Sequence, residues 1–334
     1  MKKFKSFLRV LWVIIALFAL VCCLFGFWFQ LTSNTVFFII IALLWSLLGL
    51  FGLIYEWKKT WLARFVLISM FVCFGLWWST ITPSLHRDWA PELQHTVQAE
   101  INYEDPQRAI IKNIRDFDWI SRDKAKENWI NKSYNINDII GMDIYLSYWM
   151  GPYIAHTLVG FTFLDGQNLV FSAEIRREKK ERFSAVGGFF KQFELAMIAA
   201  TEEDIIKLRT DIRGENVYRY SLLVPPKKMQ ELFINYLKMG NELSQQAEFY
   251  NTLTTNCTTV VFDMARILDP GIPLDWRILF SGQLPSYLYN HQLIETNEPL
   301  KEIVNNAYIT PKNTLPRDQY SRAIRDLPLS VNPH

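Results

Sequence analysis

Cysteine and histidine are scarce in this chain of 334 residues, with 4 and 5 copies, and glycine and proline number 14 each. So few cysteines exclude a disulfide scaffold, and the low glycine and proline content excludes a collagen. Half of the residues are hydrophobic, which excludes a disordered chain. A formal net charge of +2 excludes nucleic-acid binding driven by bulk positive charge. The most telling absence is local: no charged residue occurs from Val10 to Tyr55, and none from Phe65 to Leu85. Other absences narrow the chemistry. The chain has no CxxC, no HExxH, no paired histidines for zinc, no GxSxG and no GxxxxGK[ST], so no metal or organic cofactor is expected.

The uncharged stretches read as membrane. About 20 apolar residues cross a bilayer core. The 46-residue run Val10–Tyr55 is therefore long enough for two spans, broken at Thr32-Ser33-Asn34-Thr35, and Leu62–Thr82 supplies a third. Trp12, Trp28, Trp57, Trp61, Trp77 and Trp78 lie near span ends, where amphipathic rings favour the interface. Lys2, Lys3, Lys5 and Arg9 precede the first span, and Lys58, Lys59 and Arg64 fill the second loop, whereas the first loop has no basic residue. The positive-inside rule then places the N-terminus in the cytoplasm and everything after Thr82 outside it. Two further spans follow the first at once, against a cleaved signal peptide, and Val21 stands where a lipoprotein signal needs a small residue before Cys22. Cys22, Cys23 and Cys73 read as membrane-buried packing residues.

Residues 1–83 form the expected anchor, with net charge +6, and residues 84–334 the external domain, with net charge −4. In the domain, His86–Glu100 reads as a linker with a turn or helix, Asp116–Asn128 as a charged surface loop or helix, and Ile139–Trp149 has helical apolar spacing. Tyr153–Leu164 and Asn168–Arg176 read as a hairpin around Asp165-Gly166. Phe193–Ala200 and Val217–Val224 read as further strands. Lys227–Met239 and Thr258–Leu268 read as helices, the first with Met229, Leu232, Phe233, Tyr236 and Leu237 on one face. A polar tail from about residue 291, with five prolines, is expected to wrap the surface. The fold class is three N-terminal transmembrane α-helices plus an α+β extracytoplasmic domain with a mostly antiparallel sheet.

One cysteine, Cys257, belongs to the domain. Outside the cytoplasm such a thiol is paired between molecules, buried and inert, or a working nucleophile. It stands just before an apolar helical run, with Thr255 or Asn256 available as N-cap. First-turn N–H groups and the helix dipole would lower its pKa and could hold an oxyanion. Among the histidines, His86 and His95 lie in the membrane-proximal linker, His291 begins the tail and His334 ends the chain. His156 alone sits inside a strand pattern, as a general base or as a satisfied core histidine. On the return strand, Ser172 and Glu174 are candidates to orient the imidazole. With a two-residue turn His156 faces Ile175; with one bulged residue it faces Arg176 and Glu174 becomes a diagonal neighbour. Otherwise Glu174 is a sheet-face carboxylate paired with Arg176 or Arg177. The run Arg176, Arg177, Lys179, Lys180, Arg182 is a solvated loop or a site for lipid phosphates. Asn256, Tyr153 and Arg176 are the candidate substrate contacts beside the catalytic candidates Cys257, His156 and Glu174.

The strings WMGPYIAHTLVGFTF, FSAEIRREKKERFSAVGGFFKQFELAMIAATEEDIIKLRT and FYNTLTTNCTTVV resemble the Lnb N-terminal periplasmic domain family, over about Trp89 to Tyr289. That family includes lipoprotein N-acyltransferases, which move an acyl chain from a glycerophospholipid to the N-terminal cysteine of a lipoprotein. The His-then-Cys order, with Asn before Cys, also resembles circularly permuted NlpC-like, papain-like folds such as lecithin:retinol acyltransferase. The resemblance implies Cys257 as nucleophile, His156 as base, a third polar group where Glu174 lies, membrane phospholipid as donor and a lipoprotein as acceptor, in a bacterial inner membrane. A papain-like hydrolase (phospholipase or cell-wall peptidase) and a non-enzymatic envelope protein are the alternative expectations.

Overall fold

A computed structural model describes residues 2–32, 34–58, 60–101, 107–311 and 315–325. Ser33, Lys59 and His334 lie outside the described residues. The chain divides into two compact units: residues 1–84 with 183–193, and residues 85–182 with 194–334.

The first unit has three helices, α1 (Lys2–Leu31), α2 (Thr35–Trp57) and α3 (Trp61–Ser79), each long and apolar enough to cross a membrane. Asn34 caps α2 by accepting from the Phe37 amide, which explains the break after the first span. Small residues let the helices close up. A Cβ on Gly52 would sit 2.7 Å from Leu67, and one on Gly26 2.8 Å from Phe74. Phe27, Trp45, Phe74 and Trp77 interlock by edge-on and tilted ring contacts. Between α2 and α3, Arg64 pairs with the buried carboxylate of Glu56 at 2.9 Å, removing the cost of an isolated charge there.

The second unit is built on an eight-stranded sheet. Its strands are β1 (Gln98–Ile101), β2 (Arg108–Arg115), β5 (Trp129–Asn135), β6 (Ile139–Met150), β7 (Ile154–Phe163), β8 (Asn168–Arg176), β9 (Glu194–Ala200) and β10 (Asn216–Ser221). Along the main path the order is β1-β2-β9-β8-β7-β6-β10, with β5 on β2. The sheet is mixed: β2 and β9 run parallel at Ile114/Ala199 and Arg115/Ala200, while the other pairs are antiparallel. A separate hairpin, β3 (Asp118–Ser121) with β4 (Lys124–Lys126), occupies the charged stretch read as a surface loop or helix.

Residues 139–149 correct the sequence reading. They form a strand, not a helix, paired on both sides by β7 and β10. Residues 142–147 are buried on both faces, so the apolar spacing of this strand does not distinguish it from a helix.

Helices cover both faces of the sheet. On one face, α5 (Pro226–Gln245) sets Phe233 and Tyr236 against Phe161 and Phe171. All five of its predicted inward residues are buried. Beside it, α6 (Cys257–Leu268) and α7 (Leu284–Asn290) pack Phe262, Tyr287 and Leu288 near Ile144, Leu146 and Tyr220. On the opposite face, α4 (Glu202–Lys207) buries Ile205 and Ile206 with Tyr145, Leu158 and Val170. The tail does more than wrap the surface. It forms α8 (Leu300–Ala307) and α9 (Tyr320–Ala323), and α9 drives Tyr320 fully into that second core.

Candidate active site

The hairpin that carries His156 turns through Leu164-Asp165-Gly166. Gly166 takes φ +82°, a left-handed conformation that suits glycine, and its amide donates to Phe163 O at 2.9 Å. This three-residue loop sets Val159 opposite Phe171 and Thr162 opposite Asn168. Continued to the start of β7, that register sets His156 opposite Glu174, with Ser172 diagonal to it on the same face. Both registers considered from sequence, with Ile175 or Arg176 opposite, are therefore corrected, because each assumed a different loop.

Pairing between β7 and β8 stops at Val159/Phe171, although β7 stays paired to β6 and β8 to β9. The side chains beyond that point thus meet one another instead of a closed ladder. His156 Nε2 lies 2.7 Å from Ser172 Oγ and 3.2 Å from Glu174 Oε1. The Ser172 hydroxyl donates to Glu174 Oε1 at 2.8 Å, so it accepts from the Nε2–H of His156. Nδ1 is then the ring nitrogen left to face a thiol. Arg209 completes the carboxylate's shell, donating from Nη2 at 3.0 Å. It projects from a π-helical turn over Leu208–Ile212 that follows α4, and its Nη1 also donates to Ile205 O. Glu174 is thereby paired with Arg209, not with Arg176 or Arg177.

Cys257 is the first residue of α6, and Asn256 is the N-cap. The Asn256 side chain accepts from the amides of Thr258 and Thr259 at 2.9 and 3.0 Å, and Thr259 Oγ1 accepts from the Asn256 amide. This reciprocal box places the thiol at the positive end of the helix dipole. Thr258 anchors the turn to the sheet by sharing a 2.9 Å hydrogen bond with Thr157, the neighbour of His156.

The electrostatics couple the groups. Burial by itself would lower the His156 pKa, but the Glu174 carboxylate and the Cys257 thiolate outweigh it and raise the pKa to about 9. Burial pushes the Cys257 thiol up, yet the charge and hydrogen bond of His156 bring it below the ordinary thiol value. Against its own burial, Glu174 is held well below the carboxylate range by His156 and Arg209. At neutral pH these directions favour a thiolate–imidazolium pair beside an ionised carboxylate.

The structure brings Cys257, His156 and Glu174 together and commits two of the three expected substrate contacts, Arg176 and Asn256, to other partners. Arg176 is buried, donates to Leu93 O and Gln94 O at 3.0 and 2.7 Å, and lies over the Trp89 ring. Its guanidinium ties the loop before β1 to β8. Tyr153 is exposed in the turn before β7, where its carbonyl accepts from the Gly282 amide. Asn256 is beside the thiol, but both ends of its amide are engaged, Nδ2 donating to Thr252 O at 2.9 Å. The cap also occupies the amides of Thr258 and Thr259, which sequence reasoning had offered to an oxyanion. Of the other histidines, His95 packs edge-on against Trp129 and His291 against Tyr287.

Sequence reasoning missed Arg209 and Tyr250. Tyr250 is buried, and burial with the nearby charges of Cys257 and Glu174 keeps its hydroxyl protonated. Tyr250 stands seven residues before Cys257 in the third quoted string, so its nearness was the available signal. A π turn leaves no spacing rule by which Arg209 could have been found.

Residues 125–282 match the family model described as the Lnb N-terminal periplasmic domain. The matched stretch is narrower than the resemblance read from sequence, but it contains His156, Ser172, Glu174, Arg209 and Cys257. With three apolar N-terminal helices, it fits a membrane protein with an extracytoplasmic domain. No curated protein and no solved structure matches the chain.

Proposed function

We propose that this chain, whose residues 125–282 match the model of the Lnb N-terminal periplasmic domain, is a membrane-bound thiol acyltransferase that moves an acyl chain from phospholipid, through a Cys257 thioester, to an amine at a lipoprotein N-terminus. The observation that carries this reading is the hydrogen-bonded set His156, Ser172, Glu174 and Arg209, with the Cys257 thiol at the head of α6 lowered in pKa by the charge of His156. On this reading the domain is a relative of the permuted papain-like folds, with its histidine strand before its cysteine helix.

The thiolate of Cys257 attacks the ester carbonyl of a phospholipid. The tetrahedral intermediate collapses, His156 gives its proton to the departing glycerol oxygen, and lysophospholipid leaves a thioester on the enzyme. The acceptor amine then attacks the thioester carbonyl. Its proton passes to His156, the C–S bond breaks, and the amide product leaves with the thiolate restored. Ser172 and Glu174 hold the imidazole with Nδ1 toward the thiol, and Arg209 keeps Glu174 ionised. The three spans keep the domain at the bilayer, where diacyl lipid is concentrated.

The test is to incubate the purified full-length protein with phospholipid labelled in its acyl chains. A hydroxylamine-sensitive label on Cys257, lost in Cys257→Ala, is the expected result. No acyl-thioester, with cleavage of cell-wall peptides, would overturn the proposal. Free labelled fatty acid without acylation of an added lipoprotein peptide would make the protein a phospholipase. Mass spectrometry of lipoprotein N-termini from a deletion strain then reads the physiological acceptor.

A further inference from the structure

The connection from β8 to β9 is long, and its middle belongs to the unit of the spans. Residues 183–193 cluster with α1, α2 and α3 instead of with the sheet on either side. The contacts are specific. Gln30, near the end of α1, donates from Nε2 to Phe190 O at 2.7 Å and to Lys191 O at 2.9 Å. Phe190 stacks on Phe25 and Phe29 of the same helix, with ring centres 5.8 and 5.6 Å apart. Lys191 Nζ donates to Trp78 O at 2.9 Å and Ile81 O at 3.1 Å, and lies over the Trp78 ring. Those carbonyls belong to the last turn of α3 and the residues after it, where a helix has no acceptor partners of its own.

Lys191 is held in a left-handed backbone conformation, φ +54°, uncommon for a residue with a side chain. The two carbonyls it satisfies and the Gln30 amide on its own carbonyl fix it there. The segment is therefore built onto one end of the bundle, the end at which α1 and α3 finish. Phe25 precedes the end of α1 at Leu31 by six residues, so at about 1.5 Å per residue Phe190 reaches about 9 Å below the helix end.

The same segment turns apolar side chains outward. Phe183, Val186 and Phe189 are 52%, 48% and 46% exposed, within seven residues of one another. A compact turn over Gly187–Phe189 follows Val186 and carries Phe189. In sequence they follow directly on Lys180 and Arg182, both exposed. Apolar rings beside basic residues, at the level where membrane helices end, match the chemistry of a phospholipid interface, with acyl carbon below and phosphate above.

We propose that Phe183–Phe193 is a lipid-embedded segment, with Phe183, Val186 and Phe189 among the acyl chains. This placement is independent of the reaction at Cys257. It makes the connection from the strand carrying Glu174 a second attachment to the bilayer, beside the covalent one through α3.

The wild-type full-length protein, in nanodiscs of phosphatidylethanolamine and phosphatidylglycerol, tests it. A trace phospholipid bearing a diazirine on its acyl chain near the carbonyl is photolysed, and adducts are mapped by mass spectrometry. The expected yield on the peptide carrying Phe183, Val186 and Phe189 is about equal to that on the span peptide carrying Trp28, and about tenfold above that on the peptide carrying the equally apolar, exposed Ile120. Labelled spans with an unlabelled 183–189 peptide would overturn the proposal, and so would equal labelling at Ile120. If the adducts form but no Cys257 thioester does, the lipid-embedded segment stands and the acyltransferase reading falls.

Discussion

Replacing Glu174 by Gln removes one charge at near-constant shape and should reset the pH range of the site. Glu174 Oε1 lies 3.2 Å from His156 Nε2. At that distance two unit charges interact by about 5 kcal/mol at an effective dielectric of about 20. Much of this offsets the desolvation that burial imposes on the imidazolium, so a net fall of about 2 pKa units, or about 3 kcal/mol, is expected. The Arg209 guanidinium, left without its carboxylate, acts in the same direction. The sign follows from the native shifts. His156 titrates at about 9, above the ordinary histidine value, so its imidazolium persists until pH rises through about 9. In Glu174→Gln that alkaline limit should move to near 7. The Cys257 pKa should rise, because the imidazolium that lowers it is less populated. The thiolate–imidazolium window thus narrows from both sides, and the apparent limits belong to the coupled pair. The assay is the rate of Cys257 alkylation by iodoacetamide against pH, alongside the pH profile of acyl transfer. An alkaline limb unmoved from wild type, with alkylation unchanged at low pH, would refute the coupling through Glu174.

Three further substitutions test what holds the site in place, each read as a change in unfolding stability of the detergent-solubilised protein. Asn256→Ala should cost about 1–2 kcal/mol, because it removes both cap bonds to the first turn of α6; Asn256→Asp, which can still accept both, should keep most of that stability. Phe233→Ala should cost about 3–5 kcal/mol by opening a cavity among Phe161, Phe163 and Phe171. Asp204→Ala should cost about 3–5 kcal/mol, since it strands the buried Arg115 guanidinium held at 2.8 Å and frees the Phe117 amide and the Trp119 indole. It should also loosen α4, and with it the π turn that holds Arg209.

Much of the framework was legible because its signals are local. Uncharged runs of membrane length and an Asn near a break give α1, α2 and α3. Runs rich in aromatic and β-branched residues around Asp165-Gly166 give β7 and β8, and a run of apolar residues behind Asn256 and Cys257 gives α6 with its thiol in the first turn. His156 could be singled out by position, since the other histidines fall in the linker or the tail. Where burial on both faces erases the period, as along residues 142–147, the local signal fails. It also fails for the parallel pairing of β2 with β9, whose partners Ile114 and Ala199 are distant in sequence.

What the sequence by itself determined is the division into an apolar anchor and a mildly acidic domain, and the residue types of a Cys–His–carboxylate site. Hydrophobicity and charge are properties of the residues themselves and survive without a fold. Only the tertiary structure decided how those residues meet. The three-residue loop fixed the register that sets His156 against Glu174, and a π turn 35 residues from Glu174 supplied Arg209. The helix cap spent Asn256, and buried carbonyls spent Arg176. Lys191, finding its acceptors at Trp78 and Ile81, joined residues 183–193 to the unit of the spans. In each case the outcome rests on a hydrogen-bond partner, and a polar group's partner in the folded chain is set by geometry and not by its neighbours in sequence.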